Sequence, residues 1–288
     1  YFMQHIKIFI ELTRFNKPIG FMLLFWPCSW GLAYAYNSNQ NLNLFLYYLL
    51  LFFLGSVLMR SAGCIFNDIV DKDFDKKVKR TKKRPIPAGK ISVKQSYIYI
   101  LILCVIAFLI LLQFNILTIL LGMSSMLLAF SYPFMKRITY WPQLFLGITF
   151  NWGILMAWTS MNNSINAEIT ILYISAIFWT LGYDTIYGAQ DMSKDEIIGL
   201  KSTSIKFKNN IKSFLGASYF VTIILITYLF KANIGLNLFS ILLIMFIGSL
   251  LYQLFMFNKN NPKNCIKMFK LNNFSGLFLL IGILLIDI

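Results

Sequence analysis

Acid is scarce in this chain. Of 288 residues only 11 are Asp or Glu, against 26 Lys and Arg, and charged residues of both signs make up 13%. A water-soluble domain carries about 25% charge, so an ordinary soluble fold is excluded. The single histidine, His5, rules out a histidine metal centre and a Ser-His-Asp triad. The cysteines at 28, 64, 104 and 265 form no Cys-x-x-Cys pair, which argues against a zinc or disulfide framework and for packing roles. Prolines are few, and Pro18, Pro133 and Pro142 fall at the ends of apolar runs, where helices are expected to start or stop.

Apolar sequence fills the rest. Hydrophobic residues are 58% of the chain, aromatic residues 17%, and the mean hydropathy is +0.67. The apolar runs are about 18–22 residues long, enough to cross a hydrocarbon core of roughly 30 Å as helix. The fold class expected is therefore all-α: one polytopic membrane domain over 1–288. Its nine spans fall near 19–37, 44–66, 97–114, 116–134, 141–159, 168–190, 212–230, 235–257 and 270–287. The stretch before residue 19 reads as an amphipathic segment, not a cleavable signal.

A net charge of +15 could suggest nucleic acid, but its distribution says membrane. In the nine-span reading the N-terminal segment and the loops after spans two, four, six and eight hold 24 of the 26 basic residues. Lys231 alone lies on the other side, and Arg60 lies within a span. Such asymmetry places those loops in the cytoplasm or its equivalent. Nucleic acid is not an expected partner; membrane lipid is.

Eight of the eleven acids gather in two clusters, at 68–75 and 184–196. Residues four apart share a helix face, so Asn67, Asp71 and Asp75 form a column, and Tyr187, Asp191 and Asp195 form another 120 residues later. Like charges at that spacing repel and weaken a helix. Acids at the ends of membrane helices therefore mark a site. The repeat suggests a duplicated helical unit, with spans two and six facing one another across a cavity. Carboxylate and amide oxygens are hard ligands suited to Mg2+ or Mn2+. Mg2+ is usually held by one or two carboxylates together with substrate phosphate oxygens, so the facing columns suit Mg2+ ions clamping a diphosphate. Asp73 is better read as pairing with nearby lysines on a solvated face.

Basic residues supply the other half of such a site. Lys136 and Arg137 close the Ser-Tyr-Pro-Phe-Met-Lys-Arg stretch after span four. Arg60 lies about two turns deeper than Asn67 and needs a partner in hydrocarbon; pairing with Asp184 and direct substrate binding are both open. The run Lys79, Arg80, Lys82, Lys83, Arg84 is expected mainly to face anionic headgroups.

These residues resemble the UbiA superfamily of membrane prenyltransferases. Asn67-Asp68-x-x-Asp71-x-x-x-Asp75, followed by Lys79-Arg80-Thr81 and Arg84-Pro85-Ile86-Pro87-Ala88-Gly89, is similar to its first signature. Gly182-Tyr183-Asp184-Thr185-Ile186-Tyr187 through Asp191, Asp195, Gly199 and Lys201-Ser202-Thr203 is similar to the second. Lys17-Pro18-Ile19-Gly20 through Trp26-Pro27, Ser131 to Arg137, and Thr139-Tyr140-Trp141-Pro142-Gln143 resemble the 4-hydroxybenzoate polyprenyltransferase branch of ubiquinone synthesis. Gly188-Ala189 stands where relatives carry bulkier residues.

The resemblance implies nine helices around a central cavity that opens laterally to the bilayer. It implies Mg2+ held by Asn67, Asp71, Asp75, Asp191 and Asp195, with Asp68 off the metal face. Arg137, Lys136 and Arg60 would bind the diphosphate, and Asp71, Asp75, Asp191, Asp195 and Arg137 would carry the catalysis. Arg14, Tyr187 and Asp184 are candidates for the acceptor, with Lys17 a further basic residue. Phe66, Tyr132, Tyr140, Trp141 and Tyr187 are candidates for shielding a cationic allylic carbon. The implied substrates are polyprenyl diphosphate and 4-hydroxybenzoate, and the implied location is a bacterial or mitochondrial inner membrane with the site toward cytoplasm or matrix. The alternatives are a sister prenyltransferase with another aromatic acceptor, and a secondary transporter using the paired Asp as ion sites.

Overall fold

The computed structural model describes residues 2–77 and 81–286. Among the described residues every regular element is helical. A short amphipathic helix, α1 (Phe2–Thr13), precedes the spans α2 (Ile19–Asn39) and α3 (Leu42–Val70) and the short α4 (Lys72–Lys77). The spans α5 (Val93–Leu111), α6 (Ile116–Ile138), α7 (Pro142–Asn162) and α8 (Ala167–Ala189) follow. Two short helices, α9 (Met192–Ile197) and α10 (Thr203–Lys206), lead to α11 (Ile211–Leu229), α12 (Leu238–Met256) and α13 (Pro262–Leu284). Among the described residues nine helices are long and apolar enough to cross a membrane, as expected.

Small polar residues set the boundaries. Asn41, Asn115, Asn166, Asn237 and Asn261 each accept a first-turn backbone N–H at the start of a span, and Ser92 forms a capping box with Gln95. Pro18 and Pro142 stand at helix starts, but Pro133 does not end α6. The helix runs on to Ile138, so Lys136 and Arg137 ride on its last turn instead of a loop. The hydroxyl of Ser131 donates to the Leu127 and Leu128 carbonyls in the turn before the proline, the kind of side-chain contact that lets membrane helices carry proline. The last span also differs from expectation. It begins at Pro262, capped by Asn261, because Lys263, Lys267 and Lys270 occupy a polar side of the helix and not a loop.

The α2, α7 and α8 spans are central, whereas α3, α5 and α6 turn most of their surface outward to lipid. Close approach at the centre depends on missing side chains. A Cβ on Gly31 would lie 2.6 Å from the Ile154 carbonyl oxygen, and one on Gly147 would lie 2.9 Å from the Ile177 carbonyl oxygen. Small residues let membrane helices pack backbone to backbone in this way. Gly31→Val should therefore force α2 from α7 and cost about 1–3 kcal/mol. Thermal unfolding of the detergent-solubilised protein checks this; an unchanged midpoint would mean that the contact does not carry stability.

Buried polar groups tie the later spans together. Trp179 Nε1 donates to Asn272 Oδ1 at 2.9 Å, Asn272 Nδ2 to Gln253 Oε1 at 2.8 Å, and the Tyr219 hydroxyl to the same Gln253 oxygen at 2.9 Å. This network, away from water, fixes α8, α11, α12 and α13 as one block.

Candidate active site

Both acidic clusters sit where a span stops and a short helix begins. Asp71 follows α3 at φ −91°, ψ 2°, and Asp191 follows α8 at φ −116°, ψ 5°. The expected columns are therefore not continuous helices. The register survives nonetheless: Asp71 N–H donates to the Asn67 carbonyl at 2.9 Å and Asp75 N–H to the Asp71 carbonyl at 2.8 Å. In the second copy Asp195 N–H reaches the Asp191 carbonyl at 3.0 Å, while Asp191 N–H bonds Gly188 at 3.3 Å instead of Tyr187. A span, a break at Asp and a six-residue helix occur twice, in keeping with the repeat read from the sequence.

The first cluster is densely paired. Lys136 Nζ donates to Asp71 Oδ2. Arg137 Nη2 lies 3.5 Å from Asp71 Oδ1, donates to the Val70 carbonyl at 2.7 Å, and packs its guanidinium over Phe74 at 4.9 Å. Arg84 Nη1 reaches both Asp75 Oδ2 at 2.7 Å and Asp68 Oδ1 at 3.0 Å. Arg14 Nη2 holds the same Asp68 oxygen at 2.7 Å. Asp73 is exposed and lies 3.9 Å from Lys76. Arg84 thus belongs to the site and not to the lipid surface. Lys79 and Arg80 lie outside the described residues.

Two oxygens of this cluster, Asn67 Oδ1 and Asp71 Oδ1, are buried and lack a hydrogen bond, although Arg137 lies 3.5 Å from the second of them. A buried acceptor without a donor costs about 1–3 kcal/mol, so a ligand is expected there, and two hard oxygens one turn apart suit a divalent cation. Among the described residues no three His, Cys, Asp or Glu come together as a metal cage. The expected carboxylate ligands are thus not drawn together as one cage, and a cation bound there would complete its shell from water and phosphate.

A cavity of about 410 Å³ opens beneath Asn67. Its walls come from α2, α3, α5, α6 and α7, and along α3 it runs from Asn67 to Leu51, about 24 Å of helix. Phe52, Phe108, Met123, Trp152 and Met156 make it apolar, and Arg60, Asn67 and Tyr132 form its polar end. The duplicated helices do not share it equally, since α8 contributes no lining residue. The second copy approaches only at the mouth. The Lys201 N–H donates to the Lys136 carbonyl at 2.8 Å, binding the second loop to the end of α6.

Arg60 is deep and incompletely satisfied. Its Nε is buried without a hydrogen-bond partner, and its guanidinium lies over the Phe150 ring at 5.4 Å. Among the described residues it makes no ion pair with Asp184, although its charge bears on that carboxylate. Gly20 makes room for it, since a Cβ there would come within 3.1 Å of Nε. In the second cluster Asp191 is buried with Lys194 at 3.9 Å, and Asp195 is half-buried. The Tyr187 ring packs on Phe269 at 4.6 Å.

Of the expected shielding aromatics, Tyr132 lines the cavity and Phe66 a small side pocket next to it. Trp141 packs instead on Phe207 and Phe214, and Tyr140 is exposed beside Lys201. Gly188 has a packing reason, because a Cβ there would meet Ser204 Oγ at 2.7 Å. Ser204 donates to the Thr185 carbonyl and Thr203 N–H to Gln143 Oε1, which seats the second loop under α7 and α8.

Fold and site define a multi-pass membrane protein in which a paired charge cluster caps a deep apolar cavity. The chain belongs to the UbiA prenyltransferase family, whose profile matches residues 24–277. It is 40% identical over 282 residues to the mitochondrial 4-hydroxybenzoate polyprenyltransferase of Rattus norvegicus, covering 97% of this chain and 75% of that protein. It is also 40% identical over 279 residues to the 4-hydroxybenzoate octaprenyltransferase of Vibrio atlanticus (strain LGP32), covering 96% of each. The fold matches the apo structure of a UbiA homolog from Aeropyrum pernix K1 with TM-score 0.76 at 22% identity, covering 91% of this chain and 96% of that one. It matches a UbiA homolog from Archaeoglobus fulgidus bound to DMAPP and Mg2+ with TM-score 0.70 at 16% identity, covering 97% and 99%.

Proposed function

We propose that this enzyme transfers a polyprenyl group from polyprenyl diphosphate to the ring carbon ortho to the hydroxyl of 4-hydroxybenzoate, with release of diphosphate, as a step of ubiquinone synthesis. The observation that carries the reading is the pair of buried oxygens on Asn67 and Asp71 that accept no hydrogen bond, at the polar mouth of a long apolar cavity. The 40% identity to enzymes of that name along nearly the whole chain supports it.

Asn67, Asp71 and Asp75, with Asp191 and Asp195, would hold Mg2+. Bound Mg2+ supplies positive charge to the departing diphosphate. Without ligand, Lys136, Arg137 and Arg84 neutralise the carboxylates. With a divalent cation held by the carboxylates, these basic groups would be released to face an anionic substrate. Lys136 and Arg137 would there stabilise the charge that grows on the diphosphate as the allylic carbon–oxygen bond breaks. The apolar cavity takes the isoprenoid tail, worth roughly 0.8 kcal/mol for each buried methylene, and its walls keep water from the cation-like carbon. Ring attack forms the carbon–carbon bond, and loss of the ring proton restores aromaticity.

The acceptor carboxylate needs a cation within reach of the cavity. We assign that role to Arg60 instead of Arg14, because Arg14 is already held by Asp68 whereas Arg60 lines the cavity with Nε unused. The basic asymmetry of the loops supports a site facing the cytoplasm of a bacterium or the matrix of a mitochondrion, in the inner membrane.

Membranes containing the protein, incubated with Mg2+, a polyprenyl diphosphate and radiolabelled 4-hydroxybenzoate, should form labelled lipid. EDTA should abolish the product, and excess Mg2+ should restore it. Preference for homogentisate or a dihydroxynaphthoate offered side by side would assign the enzyme to a sister activity.

A further inference from the structure

The role of Asp68 is left open by the mechanism above. Its side chain is 2% exposed, it sits one residue off the Asn67–Asp71–Asp75 column, and it receives two guanidinium groups on a single oxygen. One of them, Arg84, uses the same Nη1 to hold Asp75. The two N–H groups of that nitrogen meet one carboxylate each, so Asp68 and Asp75 share the charge of Arg84.

The surroundings fix this sharing in place. Arg84 stands in a folded loop in which its N–H donates to the Thr81 carbonyl at 2.9 Å, and the Thr81 hydroxyl donates to the Asp75 carbonyl at 3.0 Å. Ile86 and Ile91 of that loop are buried in one cluster with Ile8 and Leu12 of α1 and Ile65 of α3. Arg14, which terminates α1 at φ +57°, is attached to α3 through Asp68. A buried carboxylate needs opposite charge to remain ionised, and here it has more than one full cation to draw on.

We propose that Asp68 is a positioning residue that divides Arg84 between two carboxylates, so that Asp75 is held less firmly and stays available to a divalent cation. The inference rests on the proposed cation site but assigns a different duty to its neighbour. Asp68 acts on the cation site through Arg84, while Arg14 keeps its own hold on the same Asp68 oxygen. Without Asp68, Arg84 settles wholly on Asp75 and competes with the metal. Without Arg84, the charge on Asp68 no longer matters.

A double-mutant cycle on Mn2+ binding tests this without turnover. The full chain in lipid nanodiscs is titrated with Mn2+ at fixed inorganic diphosphate, and bound metal is read by electron paramagnetic resonance. Asp68→Asn should weaken binding about tenfold, the scale of one charge-pair coupling. In an Arg84→Gln background the same substitution should leave affinity unchanged within about twofold. Equal weakening in both backgrounds would make Asp68 a ligand or a general source of negative potential, and the proposal would be wrong. Should Asp68→Asn fail to fold, Arg84→Gln alone decides: Mn2+ must bind more tightly than in wild type, and unchanged affinity refutes the idea. Wild-type protein that takes up no Mn2+ would refute the cation site itself, which is a separate result from a failed cycle.

Discussion

Asp71→Ala should lower prenyl transfer by on the order of 10³-fold, with the loss in kcat and little change in donor KM. Among the described residues Asp71 is the carboxylate of the first cluster that has both a buried oxygen without a hydrogen bond and two cations beside it. Removing it deletes a hard-oxygen ligand but releases Lys136 and Arg137, which continue to attract a diphosphate. Donor binding is thus preserved while stabilisation of the leaving group is lost, and an interaction lost only in the transition state appears in kcat. Asp71→Asn keeps the shape and one acceptor oxygen, so it should retain more activity than alanine. The readout is labelled lipid formed from radiolabelled 4-hydroxybenzoate at varied donor concentration. Wild-type product from Asp71→Ala would remove the first cluster from the chemistry altogether.

That carboxylate was legible in the sequence, but its partners were not. The clusters stand out because acid is rare and the four-residue spacing is regular. The cations that meet them come from 9, 54 and 65 residues away, and no local pattern encodes such pairings. Arg84 was concealed among like charges, and Phe150 among the many aromatic residues of an apolar span. The break at Asp71 was invisible because the four-residue register is kept across it, and the one at Asp191 because its last turn merely tightens to three-residue bonds.

The spans were legible for a simpler reason: long apolar runs alternate with Asn- and Ser-rich caps. Where the reading slipped, charge or proline misled it. Lysines along the first turns of α13 looked like loop, although Asn261 followed by Pro262 is a helix-start signal. Pro133 looked like an end, yet α6 continues past it and thereby delivers Lys136 and Arg137 to Asp71. A shorter helix would have left that carboxylate without its cations.

Arg60→Met should raise the KM for 4-hydroxybenzoate by about 10²-fold, or ~2.7 kcal/mol, while donor KM stays within about threefold. Methionine retains the packing against Phe150 and Gly20 but removes the charge. The argument rests on depth. Arg60 lies seven residues below Asn67 on α3, roughly 10 Å along the helix axis. A diphosphate held at Asn67 and Asp71 leaves that position to the second substrate. Nε has no partner in the protein, and a carboxylate would satisfy it while offsetting a charge that is otherwise expensive at this depth. The methyl ester of 4-hydroxybenzoate supplies the control. Wild type should strongly prefer the acid, and Arg60→Met should scarcely distinguish acid from ester. A rise confined to donor KM, with the preference for acid intact, would return Arg60 to the diphosphate and leave the carboxylate to another cation.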